Sequence, residues 1–378
     1  MSTTVESFPA RLVACGCLTA FGDANATAQA LLDGKIALKL RPVLGRDGGD
    51  PVPLSVMGES FDETLPPRWL APLSGLVGTI PAPERSSVWG NSRSPVIVTS
   101  SNFGVGSLHA WTRDHDARHL AHGPPFAAVE LLQRELKWGA HVTVFSHACV
   151  TAHLGLAHAS RLLHAQVADE VLVFSYDFVS PFVAGGFHSL KILNGVMPAP
   201  YAVREVGAIG LGDGAAFAVL RRENDSPGSG FRLESHALHN EMFHFTSNQP
   251  DGAGFAAMAA AMKEASQGRR VWIKGHGTGT LDAGRLEAEG FARVFPQSPL
   301  VSWKGSLGHT LGSCGLVELA VAQESVRRGR IPGTVGSVSP CFSDTVALSS
   351  FGADLFDAAI LTSNAFGGAH AAMVLSHD

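Results

Sequence analysis

The sequence predicts an α/β protein built from two similar halves, in a pseudo-duplicated arrangement of five layers. Apolar, β-prone segments alternate with segments of helical character, which indicates parallel strands covered by helices on both faces. The second half repeats the rhythm of the first, although no strict sequence repeat is visible. With 378 residues, 45% of them hydrophobic, the chain is long enough for a large core in one big domain or in two intimate halves.

The boundary between the halves is predicted in the most linker-like stretch of the chain. Residues 221–228 read Arg-Arg-Glu-Asn-Asp-Ser-Pro-Gly, so they are polar and charged and end in two turn-forming residues. Residues 1–225 are then the N-terminal half and residues 226–378 are the C-terminal half.

In the first half, short apolar or alternating runs predict strands, and most of them end in turns. The helix predicted at 25–32 has Asn25 as a candidate N-cap and Gly34 just after its end. Residues 41–83 are rich in proline and glycine and are expected to be a surface excursion. The strands are predicted at 11–18, 95–100, 141–145, 170–175 and 208–220, and two further helices at 123–136 and from the cysteine at 149 to about 166.

The second half alternates in the same way. Its first predicted helix is rich in alanine and methionine, and each later helix follows a short buried strand. The strands are predicted at 231–239, 270–274, 300–303, 347–351 and 358–363, and the helices at 255–267, 286–295 and 314–328.

The composition argues against several classes of function. A net charge of −5 and a pI near 6.4 give no global signature of binding to nucleic acid or a membrane surface. No run of 18 or more apolar residues occurs, so no membrane-spanning helix is expected, and the N-terminus lacks the basic region of a signal peptide. The five scattered cysteines suit a reducing cytoplasm; Cys15 and Cys17 would share one face of a strand and pack in the core.

The most informative stretch surrounds Cys149, which lies where a predicted strand ends and a predicted helix begins. Such a position directs backbone N–H groups and the positive helix end at the sulfur. Lowering a thiol pKa from ~8.5 to ~7 takes roughly 2 kcal/mol, which a helix terminus and a nearby imidazole could supply. Taken alone, Cys149 is explained equally well as a buried structural cysteine.

Three more stretches that carry reactive side chains lie at or just after the ends of predicted strands, where open α/β sheets place their sites. Each alone has an ordinary explanation, because a chain with 17 histidines packs or solvates most of them, and a glycine-rich run can be only a turn. Their conjunction with Cys149 is far less expected by chance and predicts one site. The stretches are Lys274–Thr280 (KGHGTGT, with Glu287 eleven residues after His276), Lys304–His309 (KGSLGH) and Asn364–Gly368 (NAFGG).

On these residues the chain resembles, along almost its whole length, a condensing enzyme of the thiolase superfamily, namely an elongating β-ketoacyl-acyl carrier protein synthase. The family's H-G-T-G-T is intact from His276 to Thr280, and its K-x-x-x-G-H is intact from Lys304 to His309. The family's A-C-S-S-G appears as Ala-Cys-Val-Thr-Ala around Cys149, and its closing N-S-F-G-F-G-G-T-N is shortened in residues 363–370. The resemblance implies the thiolase-like αβαβα fold.

The resemblance also implies a role for each matching catalytic residue. Cys149 would carry the acyl chain, and His276 and His309 would be the paired imidazoles at the malonyl carbonyl. Lys304 would set the electrostatics of the site, with Glu287 as its ion-pair partner. The implied reaction is a decarboxylative Claisen condensation of the cysteine-bound acyl chain with malonyl-acyl carrier protein, in fatty-acid-like, polyketide or aryl polyene chain elongation.

Further residues are implied to contact the substrate. Thr278 and Thr280 would hydrogen-bond the phosphopantetheine arm that arrives on the carrier protein. Phe366, followed by Gly367, would be a gate beside the cysteine, and its backbone N–H would join that of Cys149 in an oxyanion hole. No metal or organic cofactor is indicated.

Several departures from the family pattern favour a specialised-pathway enzyme, making polyketide, aryl polyene or other pigment chains, over the housekeeping fatty-acid enzyme. Val150 replaces the small residue that usually follows the cysteine, Gly284 stands in place of a usual aspartate, and Asp213 lies where Gly-Glu-Gly is familiar. The chain is also short for the family. Val150 and the stretch 178–187 are candidates to shape the acyl pocket, with core packing an equal alternative.

Two other readings stay open at this point. The first is a non-catalytic partner subunit, like the chain-length factors that pair with ketosynthases, although such subunits usually lack the cysteine. The second is a thiolase that acts on coenzyme A, which would use a second cysteine in a C-x-G motif near the C-terminus; here Asn364–Gly368 occupies that zone, and Cys314 and Cys341 lie elsewhere. A starter-unit synthase would carry asparagine at the position of His309.

The resemblance implies partners and one geometric requirement. We expect a homodimer or a heterodimer with a ketosynthase-like subunit, and a basic patch for the acidic carrier protein, for which candidates are Arg204, Arg327, Arg328 and Arg330. The requirement is that segments far apart in sequence converge, so that the sulfur faces both imidazoles across a narrow cavity.

Overall fold

A computed structural model describes residues 3–43, 50–82, 84–85, 93–138, 141–222, 230–244 and 246–377. Within these ranges no helix is long and apolar enough to cross a membrane. The strands are β1 (Thr4–Glu6), β2 (Ala10–Thr19), β3 (Gly22–Asp23), β4 (Lys39–Pro42), β5 (Pro51–Ser55), β6 (Val96–Thr99), β7 (Val142–Phe145), β8 (Glu170–Asp177), β9 (Leu211–Gly212), β10 (Gly214–Arg222), β11 (Phe231–Asn240), β12 (Val271–Lys274), β13 (Leu300–Val301), β14 (Arg330–Ile331), β15 (Phe351–Gly352), β16 (Ala358–Ala365) and β17 (Ala369–His377).

The two halves share one strand order and one set of strand directions. In the first half the order across the sheet is β2-β10-β8-β6-β7, and in the second it is β11-β17-β16-β12-β13. In chain order both read first, fifth, fourth, second, third. In both, the first three strands of the path are antiparallel neighbours and the remaining pairs are parallel. The sequence suggested a duplication only through its repeated alternation of strands and helices, and the strand topology shows that duplication directly.

The two sheets touch at one corner and continue into each other. Three residue pairs between β2 and β11 join them, from Phe231 with Leu12 to Leu233 with Ala10. The predicted boundary at 225/226 falls within residues 223–229, which are outside the described part of the chain, so it stays a prediction.

Helices form the remaining layers. The short helix α9 holds a single turn, and the others are two to four turns long. The helices are α1 (Ala24–Leu32), α2 (Leu70–Gly78), α3 (Val105–Asp114), α4 (Pro125–Leu136), α5 (Thr151–His164), α6 (Pro181–Ser189), α7 (Ala253–Ala265), α8 (Leu281–Val294), α9 (Lys304–Leu307) and α10 (Cys314–Arg327).

Alternation along the strands divides the core into a middle and two outer parts. On β6, Ile97 packs in the middle cluster with α5 and α10, whereas Val96 and Val98 face the outer cluster with α2 and α4. On β12, Trp272 faces the same middle cluster, and Ile273 packs outward against α7 and α8. Because successive side chains of a strand point to opposite faces, each sheet is covered on both sides. The result is the five-layer αβαβα arrangement.

The structure corrects several element assignments. Asp23, rather than Asn25, caps α1, because its carboxylate accepts the backbone N–H of Ala26 at 2.8 Å. Residues 41–83 are more than a surface excursion, since they include β5 and α2, and Leu54 and Leu73 are fully buried.

In the second half, α8 begins at Leu281, five residues before its predicted start. The strand predicted at 347–351 is reduced to the two residues of β15. Strand β17 was not predicted at all, although it is buried along nearly its whole length. A continuous apolar run at a chain end gives no period by which a strand could be recognised.

Candidate active site

A tight turn between β7 and α5 presents Cys149. Ala148 has a positive φ of 45°, which is strained for a residue with a Cβ, so the backbone reverses sharply just before the sulfur. The Thr151 hydroxyl holds this turn, because it accepts the N–H of His147 at 2.7 Å and donates to the carbonyl of Ala148 at 2.6 Å. The prediction that Cys149 lies between a strand and a helix is confirmed.

The sulfur of Cys149 is in contact with one of the predicted histidines. Nε2 of His309 lies 2.8 Å from Sγ, at hydrogen-bonding distance. Below the sulfur, the hydroxyl of Ser363 donates to the carbonyl oxygen of Cys149 at 2.8 Å, and the Cys314 thiol lies 3.4 Å from the same oxygen. The second half of the chain therefore holds Cys149 in place through two contacts to its carbonyl oxygen.

The two histidines form a perpendicular pair around the sulfur. Their ring centroids are 5.1 Å apart and their planes are at 90°. The sulfur of Cys149 and one ring nitrogen of each histidine all lie within 4.8 Å of one another. The predicted convergence of Cys149, His276 and His309 is thereby confirmed.

Glycine at 308 makes the approach of His309 possible. Its φ is +73°, and a Cβ there would lie 2.6 Å from the carbonyl carbon of Leu211. Because only glycine tolerates both constraints, the glycine of the KGSLGH run lets the histidine segment pass close to β9 and reach the cysteine of the other half.

Glu287 supports the His276 loop and does not pair with Lys304, which corrects the sequence-based assignment. Its carboxylate accepts the backbone N–H groups of His276 and Gly277 at 2.6 and 2.9 Å. It also accepts the hydroxyl protons of Tyr201 at 2.8 Å and Thr362 at 3.0 Å. The carboxylate thus uses its acceptor positions on the loop backbone and on two hydroxyls, which fixes the position of His276.

The carboxylate that pairs with Lys304 belongs to Glu318, on α10. Nζ of Lys304 lies 2.6 Å from its Oε1, and Lys274 contacts the same oxygen. Sequence reasoning missed both Glu318 and Lys274. The available signal was a lysine at the end of the apolar run Val-Trp-Ile, because a buried lysine needs a partner charge.

Burial and the Lys304 charge keep the histidines neutral. Burial first, and then the ammonium of Lys304, lower the pKa values of His276 and His309 well below the ordinary value. Ser363 lies 3.4 Å from Nδ1 of His276, so the opposite nitrogen of that ring is left for the pocket. Both rings are therefore neutral imidazoles at neutral pH.

The pKa of Cys149 is raised, whereas the sequence led us to expect a lowered pKa. Burial raises the pKa of the Cys149 thiol, and the neighbouring Cys314 raises it further, whereas the Lys304 ammonium lowers it. Cys149 is only partly buried, yet desolvation of its thiolate outweighs the favourable helix end and the cation. Cys149 therefore rests as a thiol, and the neutral His309 at 2.8 Å is placed to take its proton.

A cavity of about 790 Å³ leads from the surface to this group. Cys149, His276 and His309 form its floor, and both Thr278 and Thr280 line it, with their hydroxyls 3.3 Å apart. A phosphopantetheine arm that reached Cys149 through this cavity would therefore pass both threonines.

Phe366 also lines the cavity, at the turn between β16 and β17. Its side chain is 43% exposed and stacks on Phe187, with ring centroids 6.2 Å apart. Gly367 and Gly368 follow with φ values of +87° and +70°, which give this turn the backbone that residues with a Cβ rarely adopt. Gly367 is not itself a lining residue. The role of Phe366 and Gly367 as a gate and oxyanion site stays a prediction.

The cations that line the cavity differ from the predicted basic patch. Lys191 and Arg285 line it, and Arg285 is paired with Glu289 at 3.1 Å. The candidates from the sequence do not line it: Arg204 donates to the carbonyl of Met197, Arg327 lies over Phe231, Arg328 pairs with Glu324, and Arg330 donates to Ser350.

Val150 is a core residue. It is 2% exposed and packs against Ala365, Ala369 and Ala371 near the β16–β17 turn. Of the two roles left open for Val150, shaping the acyl pocket and packing in the core, the structure favours core packing. Of the stretch 178–187, Phe187 lines the cavity.

Residues 231–337 match the family model described as "Beta-ketoacyl synthase, C-terminal domain". Among curated proteins, the chain is 30% identical over 271 residues to the tetracenomycin polyketide synthase ketoacyl synthase alpha subunit of Streptomyces glaucescens, covering 64% of this chain and 62% of that one. It is 26% identical over 298 residues to 3-oxoacyl-[acyl-carrier-protein] synthase 2 of Vibrio cholerae, covering 70% and 72%. The match thus spans less than two thirds of the first of these relatives.

Among solved structures, the fold is similar to a ketosynthase in complex with its chain length factor from Xenorhabdus doucetiae, with a TM-score of 0.81, 20% identity and 98% of each chain covered. It is also similar to a β-ketoacyl synthase from Burkholderia phymatum, with a TM-score of 0.80, 17% identity and coverage of 98% of this chain and 99% of that one. These similarities establish the thiolase-like fold that the sequence predicted.

Proposed function

Because the chain belongs to the β-ketoacyl synthase family, we propose that it is a 3-oxoacyl-acyl carrier protein synthase of the divergent, specialised-pathway kind. It would join a cysteine-bound acyl chain to a malonyl unit with loss of carbon dioxide. The observation that carries this proposal is the placing of the Cys149 sulfur and one nitrogen of each histidine within 4.8 Å of one another at the floor of one cavity.

In the first half-reaction, Cys149 takes the acyl group from a carrier-bound thioester. His309 accepts the thiol proton through Nε2 as the sulfur attacks, and it returns that proton to the departing pantetheine thiol. The exchange of one thioester for another is nearly neutral in free energy, so the enzyme needs no other energy source for this step.

In the second half-reaction, the malonyl thioester loses carbon dioxide and leaves an enolate. Once the cysteine is acylated and the ring proton of His309 has moved to Nε2, the imidazoles of His276 and His309 donate N–H groups to the enolate oxygen, and each preorganised donor of this kind stabilises the transition state by roughly 3–4 kcal/mol. The enolate carbon then attacks the acyl-cysteine carbonyl, with the N–H groups of Cys149 and Phe366 as the proposed oxyanion hole. Collapse of the adduct releases the 3-oxoacyl thioester, and a proton from solvent restores the thiol.

The supporting residues have assigned tasks in this scheme. Lys304 keeps positive charge below the site, Glu287 fixes the loop of His276, and Thr278 and Thr280 hydrogen-bond the phosphopantetheine arm. The scheme uses no metal or organic cofactor, because the two imidazoles and the backbone N–H groups take the role of the electrophile.

The alternatives that the sequence left open fit the site less well. A chain-length-factor role does not require Cys149, His276, His309 and Lys304 together, and all of them lie in one cluster here. A thiolase needs its second cysteine beside the substrate, but Cys314 is fully buried behind the Cys149 backbone and does not line the cavity.

Acyl transfer tests the proposal most directly. After incubation with a panel of acyl-carrier proteins, the intact protein is expected to gain the mass of one acyl group, and peptide mapping should locate it on Cys149. The Cys341→Ala variant, which removes a half-buried cysteine outside the cavity, should acylate equally. If the isolated chain takes no acyl group from any carrier protein in the panel, the non-catalytic partner role is favoured instead.

We also propose that the chain dimerises through β7, with a copy of itself or a related ketosynthase-like subunit. Strand β7 is an edge strand of the sheet, and its Val144 is 42% exposed. An edge strand with an exposed apolar side chain is suited to pairing with a second chain. The solved relatives that include a chain length factor support a partner of this kind.

A charged residue on this edge is expected to weaken the dimer. Val144→Lys should lower the mass by light scattering from dimer to monomer, since a buried lysine would oppose pairing at the edge. Val167→Lys is the matched control, because Val167 is 59% exposed and lies outside the sheet. A wild-type chain that is monomeric in isolation would contradict the homodimer.

A further inference from the structure

Two lysines share one buried carboxylate beside the reactive group. Lys274, Lys304 and Glu318 are all at most 4% exposed, and both ammonium groups contact the same oxygen, Oε1, of Glu318. Two positive charges against one negative charge leave one positive charge uncancelled within this cluster. An uncompensated buried charge is costly, so it is kept only where something else needs it.

The fold directs this charge at the active site. Lys274 ends β12 and, two residues after Trp272, points to the same middle layer as that side chain. Glu318 lies one helical turn after Cys314 on α10, on the same helix face. Cys314 in turn contacts the carbonyl oxygen of Cys149, so the cluster lies directly behind the nucleophile.

We propose that Lys274 is a positioning residue for the reaction. It shares the Glu318 carboxylate with Lys304, and the three groups together leave a net positive charge behind the cysteine and the histidine pair. This inference rests on the proposed function of Cys149 as nucleophile. With Glu318 serving Lys304 alone, the pair would be neutral, and the field at the imidazoles would be much weaker.

The charge states of the neighbouring groups support this role. Burial lowers the pKa of Lys274 to about 8 although Glu318 opposes the shift, so Lys274 still carries its charge at neutral pH. The titratable groups that face it or respond to it come from β12, α9, α10, α5 and the loop before α10. They are Glu318, Lys304, Cys314, His276, His309 and His153.

The sign of the effect follows from these charges. A cation behind the site disfavours imidazolium and favours thiolate, so it lowers the pKa of both kinds of group. Below about pH 8, where Lys274 carries its charge, removing that charge should therefore raise both pKa values and make Cys149 less reactive.

The test is the pH dependence of Cys149 alkylation by iodoacetamide in wild type and Lys274→Met, followed by peptide mass spectrometry. In K274M the alkylation rate at pH 7 is expected to be several-fold lower, and the two profiles should converge above about pH 8, where wild-type Lys274 has itself lost its charge. The matched control is Lys39→Met, which removes an exposed lysine on β4 and should leave the profile in place.

A stability measurement separates this role from a structural one. Methionine leaves Lys304 and Glu318 as a neutral pair, so the melting temperature of K274M at pH 7 should equal or exceed that of wild type. Between pH 8 and about 10, wild type should gain stability relative to K274M, because the unfolded chain holds the lysine proton in that window and the folded chain has lost it.

The outcomes are distinct. An unchanged alkylation profile in K274M, or a fall in its melting temperature, overturns the proposal for Lys274. Failure of iodoacetamide to modify Cys149 in the wild type at any pH would instead overturn the proposed function. The alkylation experiment needs neither carrier protein nor partner subunit, so the two failures cannot be confused.

Discussion

Cys149→Ala is expected to abolish condensation, with a loss of about 10⁴-fold or more, because Cys149 is the one thiol among the described residues that line the cavity. The same variant should still decarboxylate malonyl-acyl carrier protein within about tenfold of the wild-type rate, since the histidine pair that stabilises the enolate is intact. Both activities are measured on one preparation, as 3-oxoacyl product and as released carbon dioxide.

Cys314→Ala is the matched control for this experiment. It removes the neighbouring buried thiol, 3.4 Å from the Cys149 carbonyl, and leaves the nucleophile in place. Condensation by this variant should remain within severalfold of wild type. Condensation that persists in C149A, or that disappears equally in C314A, would contradict the assignment of Cys149 as nucleophile.

Glu287→Ala is expected to destabilise the protein by about 3–5 kcal/mol, because two backbone N–H groups and two hydroxyls lose a buried charged acceptor. In a chain of this size that loss should lower the melting temperature by roughly 5–10 °C. Decarboxylation should fall as well, since the loop that carries His276 would no longer be held.

Two comparisons give this prediction its meaning. Glu287→Gln keeps one acceptor oxygen and should cost less, about 1–3 kcal/mol, whereas Glu289→Gln, on the half-exposed side of α8, should change stability by less than about 0.5 kcal/mol. If Glu287 instead paired with Lys304, as the sequence analysis expected, then Lys304→Met would restore the stability that Glu287→Ala removes. We expect no rescue, since Lys304 pairs with Glu318.

The candidate reacting groups could be identified from the sequence because the proposed chemistry requires particular residue types at particular strand ends. Cys149, His276, His309 and Lys304 were each marked by a short motif at such an end, and the structure brings all four together. Short, buried, strongly apolar strands such as β6 and β8 were likewise predictable, because their patterns are local.

The partners of these groups were not predictable in the same way. Glu287 was assigned to Lys304 through the family resemblance, whereas the tertiary structure pairs Lys304 with Glu318. Spacing along a chain does not say which face of a helix a carboxylate occupies, nor which loop lies opposite it. Glu287 faces the His276 loop from α8, whereas Glu318 faces both lysines from α10.

The pKa of the cysteine shows the same limit. The helix end next to Cys149 could be read from the sequence, and it argued for a lowered value. How completely the sulfur is enclosed depends on α10, on the β16–β17 turn and on His309, all of them more than 150 residues away along the chain. Desolvation is a property of the assembled environment, so only the fold could decide its sign.

By itself, then, the sequence determined the alternation of strands and helices and indicated the candidate reactive side chains and the proposed chemistry, because each of these depends on local patterns of residue type. Only the tertiary structure decided the shared strand order of the two halves, the pairing of Glu318 with two lysines and the resting thiol of Cys149. These depend on contacts between residues far apart in the chain, and such contacts exist only once the two halves have packed against each other.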